Sequence, residues 1–198
     1  MTIILDLGGV LMQHNMSECI ARFRSMLGED IMAEVLGMKA NAEGIPNRLM
    51  DKFECGEVTT DEFVQTILSC AKEGTTPQDV IDAWNAMHAG IPAERLSLIQ
   101  SWKDAGHRLI MLSNNNALHW QDIHEKYDFS MFDYMFSSHI VHCNKPNRGI
   151  YDIVHQYLVD NQYEFPYYFV DDLDANRHMG ETYGWITYPD LDTLAKNL

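Results

Sequence analysis

No stretch of this chain approaches the roughly 18 consecutive apolar residues of a membrane-spanning helix. Its N-terminus carries neither the basic start nor the apolar core of a secretory signal. A cytoplasmic location is the expectation. Basic residues are scarce, with 14 Lys and Arg against 29 Asp and Glu and a formal charge of −15. That balance argues against nucleic acid and against anionic membrane surfaces as partners. It also repels an anionic substrate unless a cation sits in the site. The four cysteines, Cys19, Cys55, Cys70 and Cys143, are widely spaced and form no C-x-x-C pair. A disulfide scaffold or zinc site is therefore not expected, and free thiols in a reducing compartment are. Internal repeats and low-complexity segments are also lacking.

What remains is an ordinary globular composition, 46% hydrophobic and 22% charged, whose 198 residues fit one domain or one domain with a sizeable insertion. The organising stretch is the first dozen residues. Ile3 to Leu5 is an apolar run that reads as a buried parallel strand. It ends in a carboxylate, Asp6, followed after Leu7 by Gly8 and Gly9. Ligands of open α/β sheets bind at the carboxyl ends of strands, so Asp6 is placed where chemistry happens.

Residues 14 to 88 read as helical. Met16 to Leu27 has apolar positions at Ile20, Phe23 and Leu27, with Gly28 as a stop. Ile31 to Leu36 is a second short segment, and Arg48 to Phe53 leads to a turn at Gly56. Thr59 with Glu62 fits a capping box, and Pro77 opens another helix. No strand-like alternation is visible in this region, which suggests a small helical bundle. From Pro92 the pattern alternates. A helix runs to Ala105, and a strand from Arg108 to Leu112 ends at Ser113-Asn114-Asn115-Asn116. A short strand spans Tyr134 to Ser137. Asn144-Lys145-Pro146 precedes a helix with Ile150, Ile153, Val154, Tyr157 and Leu158 on one face. Tyr167 to Val170 ends at Asp171-Asp172, and a last strand runs from Trp185 to Tyr188. Strands alternating with helices imply a parallel sheet. The expected architecture is α/β, a Rossmann-like parallel sheet with helices on both faces, plus an inserted helical-bundle cap. Residues 1–13 and 89–198 form the core and 14–88 the cap.

Polar residues thus collect at four element ends: Asp6, Ser113-Asn114, Lys145 and Asp171-Asp172. Each has a plainer reading alone: Ser113 as a helix cap, Lys145 as a solvated lysine, the acidic pair as a cap. Together they are the parts of phosphoryl transfer. A carboxylate can attack phosphorus. A hydroxyl, an amide and an ammonium can hold the phosphoryl oxygens. Asp6 and Asp172 can supply carboxylates to Mg²⁺.

At this point the chain resembles the haloacid-dehalogenase superfamily of hydrolases, in the subfamily with a small helical cap after the first motif. Asp6-Leu7-Gly8-Gly9-Val10-Leu11 resembles the nucleophile motif and Leu112-Ser113-Asn114 the second. Asn144-Lys145-Pro146 resembles the third, and Phe169-Val170-Asp171-Asp172 with Asn176 the fourth. The nearest likeness is to α-glucose-1-phosphate phosphatases and the phosphatase domain of soluble epoxide hydrolases. The resemblance implies Asp6 as nucleophile, with Lys145 also catalytic. It implies Asp6, the Gly8 carbonyl and Asp172 as Mg²⁺ ligands, with Asp171 beside them. Ser113, Asn114 and Lys145 would bind phosphate.

One departure stands out. The family usually carries a second Asp two residues after the nucleophile as general acid and base, and here that position is Gly8. His14 and Asn115 are neighbours that could take over the role. The expectation is a Mg²⁺-dependent phosphatase for a small phosphorylated metabolite, such as a sugar phosphate. The alternatives are a non-catalytic phospholigand- or protein-binding module and, further off, a 2-haloacid dehalogenase. His14, Asn15, Phe53 and Glu54 are candidate substrate contacts. The sequence leaves the oligomeric state open.

Overall fold

The first strand, β1 (Thr2–Leu5), is buried along its whole length, as a run of β-branched and aliphatic residues with no polar alternation demands. It is the middle of a five-stranded, all-parallel sheet in the computed structural model, which describes residues 1–28 and 49–198. The other strands are β4 (Arg108–Ser113), β5 (Tyr134–Ser137), β6 (Tyr167–Val170) and β7 (Ile186–Tyr188), in the order β5-β4-β1-β6-β7. Thr2 pairs with Arg108 on one side and Tyr167 on the other. The chain winds outward from β1 through β4 to β5, then crosses to β6 and β7. The switch point of the sheet therefore lies beside β1, and Asp6 follows its last residue.

Successive strand residues point to opposite faces. Ile3 and Leu5 enter one core cluster and Ile4 the other. The first face is covered by α5 (Ala93–Asp104), α6 (Ala117–Lys126) and α10 (Leu191–Ala195), through Ile99, Trp102, Ile123, Leu191 and Leu194. The second is covered by α8 (Arg148–Asp160) and α9 (Asp174–Glu181), through Ile150, Tyr151, Val154, Leu158 and Met179. On α8 the structure corrects the sequence reading. Ile153 is exposed, and Tyr151 takes its place in the core, its hydroxyl donating to the Asn176 carbonyl at 2.9 Å. A buried tyrosine needs such a partner.

Among the described residues, four helices precede this half: α1 (Met16–Leu27), α2 (Leu49–Glu54), α3 (Thr60–Leu68) and α4 (Pro77–Asn85). Their starts follow local chemistry. Thr59 and Glu62 form the expected capping box, and Thr76 with Asp79 forms a second, with Pro77 opening the first turn. Gly28 ends α1 at φ 79°, a conformation glycine adopts freely. These helices share their own apolar cluster, centred on Phe23, Phe53, Phe63 and Trp84. The expected segment at Ile31 to Leu36, and Arg48, lie outside the described residues.

The region was also expected to hold no strand. Instead β2 (Gln13–His14) and β3 (His88–Gly90) pair antiparallel at its two ends. Strands of two and three residues are too short for a period-2 pattern to register in sequence. Polar bonds tie the helices to the sheet half. Ser138, opening α7 (Ser138–Val141), donates to the Glu54 carbonyl at 2.6 Å, and Trp84 Nε1 donates to Asn116 Oδ1 at 3.1 Å.

Candidate active site

Beyond β1 the chain folds back tightly. Met12 and Leu11 donate to the Leu7 carbonyl and Gly9 to the Met12 carbonyl. Gly9 sits at φ 77°, and a Cβ there would collide with the Asp172 carboxylate. Both facts require glycine. Arg95 holds this turn from beneath, its Nη1 donating to the carbonyls of Val10 and Leu11 at 2.7 and 3.2 Å.

The turn leaves Asp6 at the floor of a cavity of about 300 Å³. Gly8, His14, Glu54, Ser113, Asn114, Asn115, Lys145 and Asp172 also line it. Asp6 Oδ1 accepts from the Leu7 amide at 2.7 Å and pairs with Lys145 Nζ at 2.9 Å. Lys145 Nζ bonds Asp171 Oδ2 at 2.6 Å as well. Asp171 is wholly enclosed. Its carboxylate also accepts from Asn176 Nδ2 at 2.9 and 3.1 Å and from the Leu173 amide at 3.0 Å. Asp172 is exposed. Oxygens of Asp6, Asp171 and Asp172 all lie within 4.8 Å of one another, the spacing a single cation needs.

The electrostatics follow from this crowding. Burial pushes the Asp6 carboxyl up to about 7; Lys145 opposes that, and the like charge of Asp171 adds to it. Burial also disfavours the Lys145 ammonium, but the two carboxylates outweigh it and hold its pKa above the ordinary value. Three carboxylates face one ammonium here. Fully ionised, the cluster is two charges negative, which a divalent cation would balance.

The sequence motifs therefore meet, but their members do different things. Asn114, expected to bind phosphate, uses its amide on Lys145: Nδ2 donates to the Lys145 carbonyl at 2.9 Å and Oδ1 accepts from its amide at 2.7 Å. It fixes the loop that carries the cation. Ser113 is buried at the end of β4 and lines the cavity. Among the candidate substrate contacts, His14 and Glu54 line the cavity. Phe53 does not: it is buried in the helical cluster, stacked on Phe63 at 4.3 Å. Asn15 caps α1 through its side chain.

Several residues escaped the sequence reading. Arg177 Nη1 donates to the carbonyls of Asp171 and Asp172 at 2.7 and 2.9 Å, holding the acidic pair in place. Its position in the first turns of the helix after that pair was the available signal. Arg95 left none. His119 is buried, with Nε2 on the Trp84 carbonyl at 3.0 Å and Nδ1 on Asn116 Nδ2 at 3.1 Å. A carbonyl only accepts, so Nε2 carries the hydrogen and Nδ1 accepts. Burial, with His88 beside it, pushes the His119 pKa down to about 3. Burial takes His88 to about 4 against the pull of Asp122. His14 is lowered by burial, with Asp172 and the Met87 carbonyl opposing.

No family model matches the chain, and no curated protein matches it either. Solved structures do. A predicted HAD-like family hydrolase from Porphyromonas gingivalis is 28% identical over 98% of this chain and 96% of that one, with a TM-score of 0.79. A HAD family enzyme from Bacteroides thetaiotaomicron, in complex with magnesium and inorganic phosphate, is 22% identical over 94% and 92%, with a TM-score of 0.77. The L-2-haloacid dehalogenase of Xanthobacter autotrophicus is 15% identical over 94% and 75%, with a TM-score of 0.59.

Proposed function

We propose that this chain, which has the fold of the HAD-like hydrolases it resembles, is a Mg²⁺-dependent phosphatase of small phosphate monoesters. The observation that carries the reading is Asp6: one carboxylate oxygen anchored by Lys145 and the Leu7 amide, at the floor of a cavity, beside two further carboxylates. The Bacteroides relative bound to magnesium and phosphate supports it.

The donor set fits the metal. Asp6 and Asp172, with the Gly8 carbonyl, offer hard oxygen ligands and open space for water and phosphate oxygens, which suits Mg²⁺. Asp171 is already saturated by Lys145, Asn176 and the Leu173 amide, so it supports the site from behind. Bound there, Mg²⁺ would neutralise charge on the cluster and on the phosphoryl oxygens.

The chain's own residues do the rest. With Oδ1 held, Asp6 Oδ2 attacks phosphorus and the ester oxygen leaves, forming an aspartyl-phosphate. Lys145 keeps Asp6 oriented and offsets negative charge in the transition state. Ser113 offers its hydroxyl to a phosphoryl oxygen. The helices among the described residues before β3 act as a cap that covers the cavity and selects the leaving group.

The test is turnover of p-nitrophenyl phosphate with and without Mg²⁺, in wild type and Asp6→Asn. Turnover should need Mg²⁺ and vanish in the variant, with an unchanged denaturation midpoint. Halide release from a 2-haloacid without metal would instead identify a dehalogenase. A variant that keeps most of the rate would rule out Asp6 as nucleophile.

A further inference from the structure

Hydrolysis through Asp6 has a second half. Water must attack the phosphorylated carboxylate, and it needs a base to do so at a useful rate. We infer that His14 is that base, an inference that rests on the phosphatase reading above.

The geometry points to it directly. Residue 8 stands two places after the nucleophile and has no side chain. A Cβ built there would meet His14 Nε2 at 2.6 Å and Cε1 at 2.9 Å. The imidazole therefore fills the space into which a side chain at position 8 would project. It reaches that space from a different element, β2, whose pairing with β3 sets His14 opposite His88. His14 lines the same cavity as Asp6, Ser113, Lys145 and Asp172. The backbone beside it is pinned by the next residue, Asn15, whose amide donates to the Met87 carbonyl at 2.7 Å.

Several of the other candidates are engaged. Lys145 is held in two ion pairs, and the Asp171 carboxylate is enclosed by three donors. His119 has both ring nitrogens bonded. Asn115 is not a base, and its Oδ1 accepts from the Asn116 amide. Glu54 lines the cavity from the end of α2 and is the rival that the experiment must separate.

The step balances. The water oxygen bonds to phosphorus, and the bond from phosphorus to the Asp6 oxygen breaks, its electron pair returning to the carboxylate. The water's proton passes to His14 and then to solvent, and phosphate leaves.

p-Nitrophenyl phosphate suits the test because its leaving group departs without protonation. Phosphorylation of Asp6 should then survive loss of His14, while dephosphorylation should not. With saturating Mg²⁺, rapid mixing of His14→Ala should release a burst of p-nitrophenolate equal to the enzyme present. A steady rate about 10²–10⁴-fold below wild type should follow, the usual worth of a positioned base. Acid-quenched protein should carry one phosphoryl group on Asp6 by mass. Added imidazole should restore part of the steady rate, and Glu54→Gln should show no burst. His14→Gln, which keeps most of the volume, should behave as His14→Ala does. Gly8→Asp alone should clash with the ring, whereas Gly8→Asp with His14→Ala should regain dephosphorylation. A steady rate in His14→Ala within a few-fold of wild type overturns the inference, as does an equal fall of burst and steady phases. Phosphoenzyme accumulation in Glu54→Gln instead of His14→Ala overturns it in favour of Glu54. If wild-type protein never phosphorylates Asp6, the phosphatase reading falls and this inference with it.

Discussion

Replacing Lys145 with Met should damage stability and activity together. Lys145 is almost fully buried and supplies the ammonium shared by Asp6 at 2.9 Å and Asp171 at 2.6 Å. Methionine keeps the volume and removes the charge. Breaking a buried pair from one side costs about 3–5 kcal/mol, because the partner charge is left without compensation. Two carboxylates are left here, so the upper half of that range is expected. For a chain of this size that is a fall in Tm of about 8–20 °C. The loop itself should stay in place, since Asn114 holds the Lys145 backbone and not its ammonium. Chemistry should suffer for a linked reason. Burial already pushes the Asp6 carboxyl up to about 7, and loss of the opposing cation raises it further, so the proposed nucleophile should be protonated at neutral pH. Urea unfolding and p-nitrophenyl phosphate turnover, both with and without Mg²⁺, read the two effects. Lys145→Met with Asp171→Asn removes one of the stranded charges and should recover about half of the lost stability but little of the rate. A single variant destabilised by less than about 1 kcal/mol would refute the reasoning, because the ammonium would then not be compensating buried charge.

Other outcomes follow from the same structure. Asp172→Asn removes an exposed carboxylate from the three-carboxylate cluster. It should raise the Mg²⁺ concentration for half-maximal rate at least tenfold and leave the metal-free urea midpoint within the range of an ordinary surface change, about 0.5 kcal/mol. Acid should unfold the protein through its buried histidines. His119 and His88 are held neutral down to about 3 and about 4, while in the unfolded chain they protonate near 6.5. The unfolded state therefore binds more protons between those values. This contribution is complete above pH 6.5 and lost as pH falls toward 3. At about 1.4 kcal/mol per pKa unit, His119 alone accounts for a loss on the order of 5 kcal/mol. Urea midpoints of wild type and His119→Gln at pH 7 and 4.5 check it, and the variant should lose less on acidification.

Much of this was legible from residues alone. The apolar run Ile3 to Leu5 can bury both faces only in the middle of a covered parallel sheet, and it does. The capping box of Thr59 and Glu62 and the proline start at Pro77 act over three or four residues, so sequence reports them faithfully. Strand ends carrying Asp6, Ser113 and the acidic pair had to converge once the sheet was parallel, because parallel strands share one carboxyl edge. Tertiary structure decided what those residues do there. Asn114 and Asp171 both stand at the site, and each also bonds Lys145, a partner about 30 residues away along the chain. Arg95 and Arg177 hold backbone carbonyls, contacts that no side-chain pattern encodes. The vacancy at Gly8 is the sharpest case. Sequence marks a missing side chain, and only the pairing of β2 with β3 brings the ring of His14 into its place. Local propensity acts through neighbours along the chain, whereas the identity of a filled volume depends on which distant segment the fold delivers to it.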